Sequence, residues 1–312
     1  MTMQDIVSKI EQTYEDGDLY LIEVLSRDSG FFVLDKKIIF VERDMDNFQM
    51  ESIDTEYLQL QTHVKVRGVK NNQSFEEDYY NLIMYKNSDE KNMTSFVKLC
   101  RIYCKNEENV SFKSFFYSLI SLFQLPTEQS FKNVLGLFGE LKLMQTVWED
   151  YRVDLSKCWH KAGVNSKYDF SNGNECIEVK TTSLGKKGVT IKHEQIFGGA
   201  ECFLATVICE KSEVGESVEE VVNRLFKYES AFANLNFSIN IEKELKRISP
   251  NDYSEKKFVL NNIMLFNAKE INPFSEVPDN INGLSYDLEL DEQKSLNDDE
   301  KSDVIGKFSI SR

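Results

Sequence analysis

The spacing of apolar residues predicts an α+β unit in residues 1–126. A short helical pattern opens the chain, and four apolar runs bounded by turn residues then predict strands. These runs are residues 19–25, 31–41, 57–69 and 79–85. Two helical patterns follow at residues 94–105 and 111–124. Pro126 disfavours helix in the residue before it, so we place a domain boundary there.

A different order of elements is predicted after this proline. Apolar residues recur at intervals of three and four through residues 130–149, which is typical of an amphipathic helix. Short strands are predicted at residues 151–155, 168–170, 176–182, 189–193 and 202–209. A capping box of Ser217 and Glu220 then begins a helix that we expect to reach about Asn234. The pattern therefore predicts an α/β core over residues 127–235 with a mixed central sheet and flanking helices.

Residues 236–312 read as an extension packed on that core. A helix fragment at residues 242–247 and a strand at residues 258–266 are followed by an acidic tail. This tail, residues 287–303, has eight acidic residues against two lysines, so we expect it to be solvated or disordered.

Composition favours a globular, cytoplasmic chain. The 312 residues are 41% hydrophobic and include four prolines, which excludes a linker-dominated polymer. Nowhere do about 18 apolar residues run without a charge, so we expect neither a signal peptide nor a membrane span. The six cysteines lack zinc-site spacing, so reduced thiols are the simplest interpretation.

The net charge of the chain is strongly negative, but one window of the sequence has a positive surplus. The net charge of −15 argues against indiscriminate coating of nucleic acid, because neutralisation of phosphates supplies most of that affinity. Residues 151–195 nevertheless have a surplus of three positive charges, with eight basic and five acidic side chains. Any surface that faces a polyanion is therefore expected in this window.

The same window contains a constellation of charged residues. In a strand alternate side chains share a face, so Glu178 and Lys180 point one way while Ile177 and Val179 point the other. Asp169 lies nine residues upstream on a short segment that could pair with this strand. Two carboxylates from adjacent strands form an oxygen site suited to Mg²⁺. A lysine beside it can orient water or stabilise a phosphate under attack.

Glu140 is a fourth candidate, on the helix predicted over residues 130–149. It lies at the edge of the apolar stripe and is flanked by Gly136 and Gly139, which permit close approach of another backbone. A carboxylate in this position is expected to have a role beyond that of a surface charge.

These segments resemble a known superfamily. The strings GLFGEL at 136–141, DF at 169–170 and IEVKTT at 177–182 resemble the PD-(D/E)xK phosphodiesterases, and more narrowly a bacterial family of PD-(D/E)xK motif proteins. The resemblance implies a restriction-endonuclease-like core and a metal-dependent DNA nuclease. Asp169 and Glu178 would bind Mg²⁺ or Mn²⁺, Lys180 would be the catalytic lysine, and Glu140 a supporting acid. Tyr168 stands where the proline that names the motif would be.

Substrate contacts are expected beyond these four residues. Gln195 follows the next predicted strand, where related nucleases often have a substrate-facing polar residue, and Lys186 and Lys187 lie in a predicted turn. His160 and His193 are interpreted as partly buried or surface residues, and the alternative is a role in phosphate contact or proton transfer near Lys180. Members of the bacterial family often accompany restriction-modification or phage-defence genes, which implies partners from such systems.

Three alternatives stay open at this point. The chain could be a catalytically silent binding or scaffold subunit, a nuclease that acts on RNA, or an acidic mimic of DNA. The sequence is compatible with a monomer and with a dimer.

Overall fold

The fold is described here from a computed structural model. It describes residues 1–66, 78–105, 110–124, 134–160, 167–186, 188–196, 201–228, 232, 234–271, 274, 283–289 and 294–309. The chain divides into two compact units, Met1–Pro126 and Thr127–Arg312. Both contain helices and a sheet, which confirms the predicted mixed α/β class. We propose the junction of the units as a domain boundary, and the further division at residue 235 stays a prediction.

The first unit is built on a six-stranded antiparallel sheet. Its elements are α1 (Met3–Gln12), β1 (Tyr20–Val24), β2 (Ser29–Leu34), β3 (Lys37–Arg43), β4 (Glu51–Asp54), β5 (Leu58–Val66), β6 (Asp78–Tyr85), α2 (Glu90–Lys105) and α3 (Phe112–Phe123). The strand order is β1-β2-β3-β6-β5-β4. Phe31 and Phe40 are cross-strand partners, and Phe40 also contacts Phe112 and Phe115 of α3. This aromatic cluster attaches α3 to the sheet.

The predicted single strand at residues 31–41 is wrong, because the segment is a hairpin of β2 and β3. Asp35 and Lys36 form its turn with φ angles of 45° and 63°. Such a turn usually contains glycine or asparagine, so this Asp-Lys pair gives little sequence signal. Lys36 Nζ donates to the carbonyl oxygens of Ile10 and Glu11, at 3.2 and 2.6 Å, and thereby caps the C-terminus of α1.

The second unit has a mixed four-stranded sheet in the order β11-β10-β8-β7. Its elements are α4 (Val134–Tyr151), β7 (Phe170–Ser171), β8 (Glu175–Ser183), β9 (Gly188–Lys192), α5 (His193–Ile196), β10 (Glu201–Ser217), α6 (Val218–Lys227), α7 (Leu235–Lys246), α8 (Pro250–Glu255), β11 (Lys257–Asn267), β12 (Ser285–Glu289) and α9 (Asp298–Gly306). β8 and β10 are parallel, whereas the β7–β8 and β10–β11 pairs are antiparallel. β9 and β12 form a separate antiparallel ribbon.

Helix α4 is buried along most of its length. Its apolar side chains Leu137, Phe138, Leu141 and Met144 are fully buried in the core that also contains Ile177 of β8. A helix that is apolar around its circumference belongs inside a domain. This burial places the polar residues of α4 against the sheet, where they need partners.

Two sequence predictions in the second unit are wrong, and the expectation of a solvated or disordered acidic tail holds only in part. Residues 151–155 do not form a strand, because Asp154 accepts a hydrogen bond from Ser156 N and begins a 3₁₀ turn at Leu155–Cys158. The helix that follows Ser217 has the predicted capping box but ends at Lys227. Part of the acidic tail is ordered, since Asn297 and Glu300 form a capping box on α9.

Among the residues that the structure describes, every helix is too short or too polar to traverse a lipid bilayer.

Candidate active site

A close contact between helix α4 and strand β8 positions the first carboxylate. A Cβ atom at Gly139 would lie 1.9 Å from Thr181 Oγ1, so only glycine permits this approach. At Gly136, in contrast, a Cβ would have no neighbour within 4 Å. Of the two glycines that flank Glu140 in the sequence analysis, Gly139 is therefore the one that sets the helix against the sheet.

Glu140 is buried and held by two aromatic residues. Its Oε2 accepts a hydrogen bond from Trp159 Nε1 at 2.8 Å and lies 3.1 Å from His160 Nε2. Trp159 is itself only 1% exposed, so its indole anchors the carboxylate from within the core. Glu140 is thus fixed before any ligand binds.

The segment that contains His160 is held by long-range hydrogen bonds. Asn240 of α7 donates to the carbonyl oxygens of Trp159 and His160, at 3.1 and 3.0 Å. His160 has a φ of 37°, a left-handed conformation that is uncommon for a residue other than glycine. Its amide donates to the carbonyl oxygen of Asp169 at 3.3 Å. These bonds bring the imidazole of His160 next to the carboxylates of Glu140 and Asp169.

Asp169 precedes β7 and is fixed by the neighbouring strand. Its Oδ2 accepts a hydrogen bond from the Val179 amide at 2.7 Å. Burial raises the pKa of this carboxyl well above its ordinary value, and the charges of Glu140 and Glu178 raise it further. A carboxylate oxygen of Glu140 lies within 4.8 Å of one of Asp169, which accounts for the repulsion between these two groups.

Glu178 and Lys180 share a face of β8, as strand alternation predicts. Lys180 Nζ lies 2.5 Å from Glu178 Oε1 and 3.2 Å from Gln195 Oε1. Glu178 is 2% exposed, and burial raises the pKa of its carboxyl although Lys180 opposes the shift. Its Oε2 is buried and has no hydrogen-bond partner among the residues that the structure describes. A buried carboxylate oxygen without a partner is costly in a folded protein, so this atom calls for a ligand.

The donor set fits a divalent cation. One ligand atom each from Glu140, His160 and Asp169 lies within 4.8 Å of the others. Carboxylate oxygens and an imidazole suit divalent metals such as Mn²⁺, and carboxylates alone suit Mg²⁺. A cation here would also offset the mutual repulsion of the carboxylates and could satisfy Glu178 Oε2.

The structure gathers most of the predicted site residues but not all of them. Glu140 lies next to Asp169, and Asp169 accepts a hydrogen bond from the Val179 amide of β8. On the same strand Lys180 bonds both Glu178 and Gln195. Lys186 is exposed on the turn after β8, and Lys187 lies outside the described residues. The roles assigned to these residues stay predictions.

His160 is a candidate metal ligand that sequence reasoning did not identify as such. Its position depends on the bonds from Asn240, 80 residues away, and on a positive φ that no local motif marks. The only sequence signal is its place in the positively charged window beside Trp159.

Comparison with known proteins identifies a family. A family model described as "Putative PD-(D/E)XK family member, (DUF4420)" matches residues 34–291. No curated protein and no solved structure matches the chain. The matched span includes Glu140, Asp169, Glu178 and Lys180. Because the match covers most of its length, the chain belongs to this PD-(D/E)XK family.

Proposed function

We propose that the protein is a metal-dependent nuclease that hydrolyses phosphodiester bonds in DNA. The observation that carries this proposal is the group of Glu140, His160 and Asp169, whose ligand atoms lie within 4.8 Å of one another, next to the strand that carries Glu178 and Lys180. Membership of a PD-(D/E)XK family supports the same reaction class.

We further propose Mg²⁺ or Mn²⁺ as the cofactor. Asp169 and Glu178 would hold the ion, with Glu140 and His160 beside Asp169 as additional ligands. A divalent cation bound there lowers the pKa of a water molecule and stabilises negative charge on a phosphate.

The protein's own groups prepare the site for such chemistry. Lys180 has three N–H donors, and the carboxylate of Glu178 and the amide oxygen of Gln195 accept two of them. Within the described part of the chain the third N–H has no acceptor, and we assign it to a phosphate oxygen or the attacking water, where an oriented cation stabilises the transition state. Trp159 and the Val179 amide keep the carboxylates of Glu140 and Asp169 from rotating.

The proposed substrate and biological setting rest on charge and on sequence resemblance. The positively charged window at residues 151–195 favours a polyanionic substrate. The sequence resemblance to PD-(D/E)xK motif proteins supports DNA and a role in a bacterial restriction or phage-defence system.

Substitution of Lys180 tests the reaction class. We expect Lys180→Ala to lower the rate of Mg²⁺-dependent cleavage by roughly two to three orders of magnitude, since it removes one electrostatic stabiliser of the transition state. Metal binding should persist in this variant, because Asp169 and Glu178 remain. Cleavage of labelled DNA and calorimetric titration with Mn²⁺ measure the two properties separately.

Lys211→Ala is the matched control, because Lys211 is an exposed lysine of β10 and lies outside the cluster. It should leave both properties unchanged. DNA binding by the wild-type protein without cleavage in either metal would favour the scaffold alternative. Cleavage of RNA but not of DNA would reassign the substrate. Full cleavage by Lys180→Ala would contradict the proposed mechanism.

A further inference from the structure

Two thiols lie side by side on the central strands of the second unit. Cys176 is the second residue of β8, Cys202 is the second residue of β10, and the two are direct partners in the parallel pairing of these strands. Paired residues on neighbouring strands have their side chains on the same face of the sheet. The two thiols are hydrogen-bonded to each other, so their sulfur atoms are in contact. We call Cys176 and Cys202 the thiol pair.

The spacing of the two strands suits a disulfide bond. Neighbouring strands lie about 4.8 Å apart, and a disulfide joins residues whose Cα atoms are about 4.4–6.8 Å apart. Cys209, the other cysteine of β10, is paired with Ser183 of β8 and with Leu260 of β11, so it has no thiol opposite it. The backbone therefore brings one particular pair of cysteines to bonding distance.

Hydrogen bonding connects the thiol pair to the candidate site. Cys202 Sγ donates to the backbone carbonyl oxygen of Gln195 at 3.4 Å, and the side chain of Gln195 accepts from Lys180 Nζ at 3.2 Å. On the neighbouring strand, Cys176 stands two residues before Glu178 and shares its face of β8. A chemical change at the sulfur of Cys202 thus reaches a residue that contacts Lys180.

The surroundings of the pair keep it reduced until an oxidant is present. Cys176 and Cys202 are 0% and 2% exposed. The hydrogen bond with Cys176 and burial raise the pKa of the Cys202 thiol well above its ordinary value, so this thiol stays protonated and reacts slowly. Both residues stand near the beginning of a strand, where local opening costs less free energy than in the centre of a sheet. Oxidation is therefore slow but does not require global unfolding.

We propose that the thiol pair is a site of reversible oxidation, at which hydrogen peroxide forms an intrachain disulfide and thereby slows cleavage at the candidate site. One sulfur attacks a peroxide oxygen as the O–O bond breaks, which gives a sulfenic acid and one water molecule. The second sulfur then displaces the hydroxyl group as the S–S bond forms, and this group leaves as water with the remaining thiol proton. The two thiols lose two electrons, and the peroxide gains them.

Only the effect on cleavage rests on the proposed function. A disulfide brings the two sulfur atoms to about 2.0 Å from each other. Cys202 also loses the S–H that donates to the Gln195 carbonyl oxygen. Both changes act on the segment that places the Gln195 side chain beside Lys180, so we expect Lys180 to be less well positioned.

Peptide mapping tests the disulfide without a nuclease assay. Folded, full-length wild type is treated with hydrogen peroxide, its remaining thiols are blocked with N-ethylmaleimide in denaturant, and its peptides are analysed by mass spectrometry. We expect a crosslink between Cys176 and Cys202, blocking of every other cysteine, and complete reversal by dithiothreitol. Cys176→Ala and Cys202→Ala should form no crosslink.

Cys209→Ala is the matched control, since Cys209 is a buried thiol of the same strand with no thiol opposite it. It should form the crosslink like wild type. The proposal is overturned if every cysteine of peroxide-treated wild type is blocked, if other cysteines are crosslinked instead, or if Cys176 or Cys202 ends as a sulfinic acid.

Cleavage of labelled DNA in Mg²⁺ tests the effect on the candidate site. We expect oxidised wild type to cleave about tenfold more slowly, since a misplaced positioning group costs rate. Dithiothreitol should restore the rate, and peroxide should not change the rate of Cys202→Ala. A crosslink that leaves cleavage unchanged would overturn the proposed effect on the site. A crosslink in a protein that does not cleave in its reduced form would refute the nuclease proposal and leave the oxidation site standing.

Discussion

At the scale of single residues, the candidate site combines what a local pattern can indicate with what only the fold supplies. The pairing of Glu178 and Lys180 follows from strand alternation, and the structure places both on one face. His160 has no such signal, because its conformation depends on Asn240 and on a positive φ. A strand fixes side-chain direction through local geometry, whereas an irregular segment depends on distant partners.

The position of His160 leads to a prediction about metal preference. His160→Gln should weaken Mn²⁺ binding by roughly tenfold, because an imidazole ligand is lost, and Mg²⁺ binding less, because Mg²⁺ prefers oxygen ligands. Isothermal titration with each metal measures both effects. Glu194→Gln, a change at an exposed residue of α5, is the control and should bind both metals like wild type. Equal Mn²⁺ affinities in wild type and His160→Gln would remove the imidazole from the metal site.

Glu42 in the first unit leads to a prediction about pH. Burial raises the pKa of its carboxyl to about 7, against the opposing hydrogen bond from the Tyr103 hydroxyl. The folded state therefore binds this proton more tightly than the unfolded state, whose carboxyl has a pKa near 4.5. The associated stability is complete below about pH 4.5 and is lost as the pH rises through about 7.

Glu42→Gln should remove this part of the pH dependence, which amounts to roughly 1–3 kcal/mol in the free energy of unfolding. Gln can still accept the bond from Tyr103, so the packing is retained. Urea unfolding at pH 5 and pH 8 measures the difference, with the exposed Glu15→Gln as the comparison. If the free energy of unfolding of Glu42→Gln changed with pH as much as that of wild type, another group would be responsible for the pH dependence.

At the scale of elements, the contact between α4 and β8 decides where Glu140 lies. Gly139→Ala places a methyl group against Thr181 and should lower the free energy of unfolding by about 1–3 kcal/mol. Cleavage should fall as well, because α4 is pushed away from the strand that holds Glu178 and Lys180. Chemical denaturation and cleavage assays on the purified variant measure these two effects.

Gly136→Ala is the internal control for this contact. It lies in the same helix in open space, so the higher helix propensity of alanine should leave the protein unchanged or more stable by up to about 1 kcal/mol. Equal behaviour of the two variants would mean that α4 tolerates a shift against β8 at no cost.

Two elements also show why parts of the fold could not be predicted from the pattern of hydrophobic residues. The hairpin at Asp35 and Lys36 was predicted as one strand, because apolar residues continue on both sides of a turn that lacks glycine. The helix after Ser217 ends at Lys227, before the expected Asn234, and Asn234 instead caps α7. Hydrophobic spacing identifies where elements run, but turns and caps depend on a few polar atoms.

At the scale of the whole molecule, the distribution of charge governs how a protein with a net charge of −15 approaches DNA. Reversal of the charges at Lys186 and Lys187 should weaken DNA binding by about tenfold and flatten its dependence on salt, since each phosphate contact releases counterions. Anisotropy titrations over a range of salt concentrations measure both effects. The same reversal at the exposed Lys211 and Lys227 should have little influence. Equal losses in the two double variants would indicate a general effect of net charge.

The dependence of His160 on Asn240 has a consequence for protein synthesis. The ribosome releases the segment with Glu140, Asp169, Glu178 and Lys180 before it makes α7, which supplies Asn240, and before β11, which completes the pairing of β10. A nascent chain that has emerged only to α6 therefore has the carboxylates but not the bonds that hold the imidazole among them. The order of translation therefore delays completion of the candidate site until α7 and β11 have been made.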